Sequence, residues 1–419
     1  MKLAYGREFV DFADDAERFR VLEAEAKEAR PLTDVEIGEA IDAPTDSSTL
    51  EEIVSAGETV LIVVSDATRA SASAQIVNLL VRRLIEAGVS PIDINIIFAT
   101  GIHRSVTPEE KRELLTPFIA QRIKTINHDA YDSASMIQTG VTTSGTPIEL
   151  NRALREHDHV ILTGAIGFHY FAGFTGGRKS ICPGLASAQT IEATHLLALD
   201  FEHGGRRAGV GVGLLEGNTV HKECERVAAS VAPSFLINAV TDERGRAVRI
   251  YAGDWRAAHS LGCAEYLVEH SVEIEEKRAL ILASCGGFPW DINLIQAHKS
   301  LEMAAHACLE GGDIILLAEC ADGLGRADFL KWFDAEDSRA LAGRLRESYE
   351  VNGQTAWSLL VKAEKFRVHL VSKLRDEDVR QMRMRPARSL EEALALCDGS
   401  AQGYIMPRAS AALPVVASV

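Results

Sequence analysis

No C-x-x-C pair occurs in this chain, no apolar run approaches the length of a bilayer span, and basic residues are outnumbered by acidic ones, 44 to 60. Each shortage removes a class of function. Seven scattered cysteines, an odd number running from Cys182 to Cys397, argue against a disulfide framework and against a thiolate zinc site. Reduced thiols and a cytoplasmic location are expected. A transmembrane helix needs about 20 consecutive apolar residues, and none is available. The opening MKLAYGREFVDF has neither the apolar core of a secretory signal nor the character of a transit peptide. A formal net charge of −16 repels phosphate backbones and anionic lipid, so neither nucleic acid nor a membrane surface is an expected partner. A small anionic ligand would need a local cluster of positive charge. A metal would have to rely on histidine or on a ligand from outside the protein.

What is present is a globular composition, 47% hydrophobic and 25% charged, over 419 residues, which favours two domains. Strand and helix patterns alternate. TVLIVVSD (59–66), INIIFAT (94–100) and HVILTGAIGF (159–168) read as buried parallel strands. Residues 74–87 have helical spacing, Thr107-Pro108-Glu109-Glu110 opens a helix with a capping box, and another helix runs from about Ser187 to Leu199. Beyond a boundary at 261–277 the pattern resumes with RALILASC (278–285), a helix (293–308), DIILLAEC (313–320) and RVHLVS (367–372), and SLEEALALC (389–397) reads as a closing helix. The expected architecture is α/β: two βαβ-rich domains with parallel or mixed sheets, 1–270 and 271–419, with an active-site cleft between them.

Ligands of open parallel sheets bind beyond the carboxyl ends of strands. Four polar groups fall at such ends: Asp66-Ala67-Thr68-Arg69, Gly101-Ile102-His103-Arg104, His169, and Phe288-Pro289-Trp290-Asp291. Taken singly, Asp66 suits a helix cap, Arg69 a solvated charge, and His103 a structural histidine. Their equivalent topological places favour a shared site. The block from His169 to Gly184 (HYFAGFTGGRKSICPG) is rich in glycine, with Arg178 and Lys179 inside it. Free N–H groups and two cations would make an anion cradle. It is not a G-x-x-x-x-G-K-[ST] loop, because Arg178 separates the last glycine from Lys179, and it lacks a G-x-G-x-x-G fingerprint. His195, sixteen residues past Lys179, suits a metal ligand, but one histidine cannot hold a divalent metal tightly. Asn293, Gln296 and Lys299 recur every three residues and share a helical face that suits a carboxylate or, equally, solvent. His157 and His159 read as surface residues, His221 and His298 carry no assignment, and Cys182 reads as packing.

Together, Asp-x-Thr-Arg, Gly-x-His-Arg, the His-x9-Lys-x15-His spacing and Gln-x-x-Lys resemble the nickel-dependent lactate racemase family. Most specific is GFHYFAGFTGGRKSICPG followed by TIEATH. The resemblance spans nearly the whole chain. It implies a nickel-pincer nucleotide, a pyridinium dithiocarboxylate mononucleotide tethered to Lys179, which supplies three nickel ligands while His195 supplies the fourth. It implies contacts to that group at Thr68, Gly173, Gly176 and Gly177, with its phosphate in the glycine-rich loop. His103 and His169 match the family's acid/base pair and Asp66 its helper carboxylate. Arg69 and Lys299, with Gln296 alongside, match its substrate-carboxylate contacts. Ala70 stands where the family commonly has proline.

The function so implied is inversion of C2 of a small, lactate-like 2-hydroxy acid by transient hydride transfer to the tethered cofactor, served by cofactor-biosynthesis accessory proteins. The same chemistry on an aldonate, malate or an aromatic 2-hydroxy acid is the alternative. A histidine-metal hydrolase would need two further protein ligands, which the sequence does not offer. A small-molecule binding protein is the non-enzymatic reading.

Overall fold

The computed structural model describes residues 1–13, 16–24 and 30–417. In chain order, the two large sheets are built from β1 (Phe19–Val21), β2 (Val60–Ser65), β3 (Ile94–Ala99), β4 (Lys124–Asn127), β5 (His159–Ala165), β6 (Phe235–Thr241), β7 (Ala247–Gly253), β8 (Arg278–Ser284), β9 (Cys308–Leu317), β10 (Arg367–Val371), β11 (Arg385–Ala387) and β12 (Gly403–Met406). The helices used below are α1 (Ser73–Glu86), α2 (Pro108–Arg122), α3 (Ala188–Leu196), α4 (Thr219–Ala229), α5 (Ala257–His270), α6 (Leu294–Ala307), α7 (Ser338–Glu347), α8 (Val351–Lys365) and α9 (Leu390–Ala395).

The chain forms two compact units. One comprises Lys27–Ala198 and Arg207–Leu267. Its six-stranded sheet has the order β7-β6-β5-β2-β3-β4, parallel except for β7, which runs antiparallel to β6. The apolar runs seen in the sequence are its central strands, and Val60 to Val64 of β2 are wholly buried. Such continuous burial is what a parallel strand covered on both faces requires. The expected capping box before α2 is present: Thr107 accepts from the Glu110 N–H and Glu110 reaches back to the Thr107 N–H. From β2 the chain builds outward through β3 to β4, then returns to place β5 on the other side of β2. The switch point of this sheet therefore lies between β2 and β5.

The other unit comprises Met1–Ala26, Leu199–Arg206 and Val268–Val419. Its sheet, β11-β10-β9-β8-β12-β1, is parallel throughout. Here the switch point falls between β8 and β12, and α6 follows β8 directly. The segment expected as a closing helix forms α9, but β12 follows it and takes a central place in the sheet. Tyr404, Ile405 and Met406 are almost fully buried there. A strand of four residues is too short to show a period, which is why the pattern hides it. The N-terminal residues add β1 to the edge beside β12, and Leu3, Phe12 and Phe19 enter this unit's core.

Candidate active site

At the switch point of the first unit, Asp66 leaves the end of β2 with its side chain buried. It does not cap α1, whose first turn follows Ala72 in a left-handed conformation without a side-chain cap. Its carboxylate instead accepts from the Thr68 N–H at 2.9 Å and the Thr68 hydroxyl at 2.5 Å. The other oxygen lies 2.6 Å from Nδ1 of His103, at the end of β3. Burial pushes the carboxyl up, but the bonds from His103 and Thr68 outweigh it and hold Asp66 below the usual value. An ionised Asp66 fixes the proton of His103 on Nδ1, so Nε2 carries the lone pair. The His103 side chain is 43% exposed, and Arg69 is exposed in the same turn as Asp66. This is a base facing outward with a carboxylate behind it.

His169 is held the opposite way. Its Nδ1 accepts from the N–H of Ala172 at 3.2 Å and of Phe171 at 3.4 Å. In the neutral ring the proton then sits on Nε2. Burial, with the charges of Lys179 and Arg69, pushes this imidazole well below its usual value, so it stays neutral. His103 thus offers an acceptor and His169 a donor.

Lys179 lies in a short 3₁₀ turn, Gly177–Ser180, and Ser180 ties that turn to the end of β5 through the Thr163 carbonyl at 3.1 Å. Its Nζ makes no hydrogen bond or ion pair among the described residues and stands 5.7 Å from the centre of the Phe171 ring. Burial, then Arg178 and Arg69, depress the amine well below the ordinary lysine value. His195, in the last turn of α3, is buried with its ring 5.0 Å from the same Phe171 ring. Burial and Lys179 bring its pKa down to about 3. The His169 ring is 4.5 Å from Phe171. One aromatic ring therefore gathers His169, Lys179 and His195, all three held below their ordinary pKa values.

In the second unit, Asn293 caps α6 by accepting from the Gln296 N–H at 3.0 Å. Lys299, exposed, donates to Oε1 of Gln296 at 2.7 Å. The pair stands on the helix that follows β8, beside that sheet's own switch point. Trp290 precedes it, with the Arg408 guanidinium 4.7 Å from its ring.

Family models for the lactate racemase N-terminal domain and the lactate racemase C-terminal domain match residues 5–205 and 274–404. The chain belongs to the lactate racemase family. It is 33% identical over 365 residues to the lactate racemase of Lactiplantibacillus plantarum, covering 85% of this chain and 84% of that one. It is 31% identical, again over 365 residues, to the lactate racemase of Thermoanaerobacterium thermosaccharolyticum, covering 86% and 84%. The solved structure of the lactate racemase apoprotein from the latter organism superposes with a TM-score of 0.89 at 28% identity, over 100% of this chain and 99% of that one. A Thermotoga maritima protein of known structure, 17% identical with a TM-score of 0.67 over 92% and 99%, shares the fold. As a lactate racemase family member, the chain is an isomerase. No helix among the described residues is long and apolar enough to cross a membrane.

The glycine-rich loop is braced from within. Gly177 donates its N–H to Oδ1 of Asn238 at 2.9 Å. Arg178 is buried and turns inward, donating to the carbonyls of Ala172 at 2.7 Å and Phe174 at 3.1 Å, with His259 at 3.2 Å. Arg178 thus braces the loop from within. The glycines serve close approach: at Gly176 and Gly177, with φ of 77° and 54°, a Cβ would lie 2.6 Å from Asn238 Oδ1 and 2.6 Å from the His259 ring. Asn238 on β6 and His259 on α5 carry no motif, so only the fold reveals them. Among the described residues, the one cluster of three metal-binding side chains is Asp313, His369 and Cys397. It lies in the other unit, and Arg367 already grips its carboxylate with bonds of 2.8 and 2.6 Å. A cation is in place there.

Proposed function

We propose that the chain racemises lactate or a closely related 2-hydroxy acid, with Lys179 as the attachment point of a nickel-pincer nucleotide and His195 as the protein ligand to its nickel. The observation that carries this is the grouping of His169, Lys179 and His195 around the Phe171 ring, with the amine and both imidazoles depressed from their ordinary pKa values. The donor chemistry fits the group. An amine depressed below the ordinary lysine value is the readier nucleophile for an amide-like tether, and a neutral imidazole offers a metal its lone pair. A single histidine suffices where the cofactor brings the remaining ligands. Bound there, the cofactor would supply an electrophilic carbon that takes the Cα hydrogen with its electron pair and gives it back to either face.

The chain's own residues do the rest. In the first unit Arg69 is the substrate-carboxylate contact, able to grip it by two parallel hydrogen bonds; in the second unit Gln296 and Lys299 are the substrate-binding residues of this reading. Thr68, Gly173, Gly176 and Gly177 lie against the cofactor. His103 takes the hydroxyl proton at Nε2 while Asp66 stabilises the resulting imidazolium. His169, charged as the imidazolium when it acts as the acid, returns its Nε2 proton to the substrate oxygen once the carbonyl has turned over, and His103 gives the proton it took to solvent. For the opposite enantiomer the roles exchange, and His169 must then present an unprotonated nitrogen. A cytoplasmic setting with cofactor-building accessory proteins goes with this reading.

The test is chiral chromatography of D- and L-lactate, and of a panel of other 2-hydroxy acids, after incubation with cofactor-loaded enzyme. Replacing either His103 or His169 by alanine is expected to lower lactate turnover about 10²–10⁴-fold. Near-normal turnover in either variant refutes the assignment.

A further inference from the structure

Immediately after α3 and its His195, residues 199–206 make an excursion that folds with Met1–Ala26 and Val268–Val419. It is a small hairpin. The Arg207 N–H donates to the Ala198 carbonyl at 3.0 Å, Leu199 bridges Arg206, and Asp200 N–H meets the Gly205 carbonyl at 3.0 Å. Its tip is held by α7, through Arg339 to the Glu202 carbonyl at 3.2 Å and Arg346 at 5.3 Å from the centre of the Phe201 ring.

The base of the hairpin is held by something less ordinary. Arg206 places both terminal nitrogens on Glu302, at 2.6 and 3.1 Å. Glu302 is 3% exposed, and its second oxygen also meets the ammonium of Lys362 on α8, itself bonded to the Ser358 carbonyl at 3.0 Å and hydroxyl at 2.8 Å. A buried glutamate shared by two cations is costly to desolvate and is a weak means of gaining stability. What it supplies is a fixed geometry, since the Arg–carboxylate fork is directional. Glu302 lies on α6, one turn beyond Lys299.

We infer that Arg206, Glu302 and Lys362 are positioning residues that fix α6, the helix bearing Gln296 and Lys299, within the second unit. The inference rests on the reading of those residues given under Proposed function. The Arg206 fork and the Lys362 ammonium together hold α6 at Glu302, one turn from Lys299. None of the three residues touches substrate. A shift of about 1 Å in such groups is enough to cost on the order of 100-fold in rate.

The informative variant is Arg206→Met, which cuts the tie yet leaves Glu302 paired with Lys362, so no buried charge is orphaned. Hydrogen exchange on the cofactor-free protein is read by peptide. Exchange at least tenfold faster in both 199–206 and α6, with β8 and β9 unchanged, is expected. Faster exchange confined to 199–206, or spread through β8 and β9, overturns the inference, because the contact would then be local or merely stabilising. In cofactor-loaded enzyme the same variant is expected to lower kcat/KM for lactate roughly tenfold, mainly through KM. Unchanged kcat and KM overturn it as well. The exchange measurement needs no activity, so a wild-type enzyme that fails to racemise lactate sinks the proposed function and leaves the tie still open to test.

Discussion

Three side chains around the Phe171 ring, His169, Lys179 and His195, are held below their ordinary pKa values, and for the lysine this has a measurable consequence. Lys179 bears an amine depressed by burial and by neighbouring cations. It should therefore be acylated at neutral pH faster than the surface lysines of the cofactor-free protein, as peptide mass spectrometry would quantify. An ordinary pH profile, rising only toward 10, would contradict this. The sign for stability follows. Between its lowered folded value and the ordinary lysine value, the unfolded chain binds the extra proton, so stability rises with pH in that window. Lys179→Met removes the cost and should raise the Tm of cofactor-free protein, by about 2–4 °C if the gain is near 1 kcal/mol, and more at pH 7 than at pH 9. Asp66 behaves in the opposite sense. Its folded value is depressed, so its contribution is present above about pH 4 and fades as pH falls through that lower value. An Asp66→Asn variant should lose less stability than wild type in acid, and should lower turnover at all pH by freeing the His103 tautomer. Arg69→Lys keeps the charge but loses the fork, so KM for lactate should rise more than charge alone predicts.

At the scale of elements, the loop from His169 to Gly184 is set by packing before it is set by any ligand. A Gly177→Ala change places a methyl against the His259 ring at positive φ, and should destabilise the first unit by about 1–3 kcal/mol in a urea melt. An unaltered midpoint would mean that the loop is looser than described. The chemistry of this region was legible in the sequence because strand ends announce themselves: an apolar run stops, and Asp66, His103 and His169 follow. The partners that brace the loop were not legible. Asn238 sits in the middle of an apolar strand and His259 in a helix of no distinctive pattern, and their roles arise because β6 and α5, far from the loop in sequence, pack against it in the fold. Arg178 illustrates the same limit. As a letter beside Lys179 it promised charge for an anion, whereas burial turned it toward carbonyls. Glu302 and Arg206, 96 residues apart, likewise become a pair only in the fold.

For the molecule as a whole, alternation of buried strands and helices gave the α/β class and most of the two sheets. What escaped was the order within the second sheet. β12 is four residues long and β1 three, too short for periodicity, yet β12 lies beside β8 and carries β1 at the edge. The N-terminal residues bury Leu3, Phe12 and Phe19 in that unit, each worth about 1.5–3 kcal/mol. A chain lacking residues 1–24 should therefore unfold at markedly lower urea, with a second-unit transition preceding the first. A single transition at the wild-type midpoint would contradict the arrangement. The account's central claim is that Lys179 carries the cofactor, and peptide-level mass analysis tests it most directly. Protein should be purified from nickel-replete cells that also produce the cofactor-building proteins, and shown to interconvert the lactate enantiomers. The account predicts an added mass on the peptide bearing Lys179, absent from Lys179→Met protein. An actively racemising preparation in which Lys179 is unmodified would contradict it.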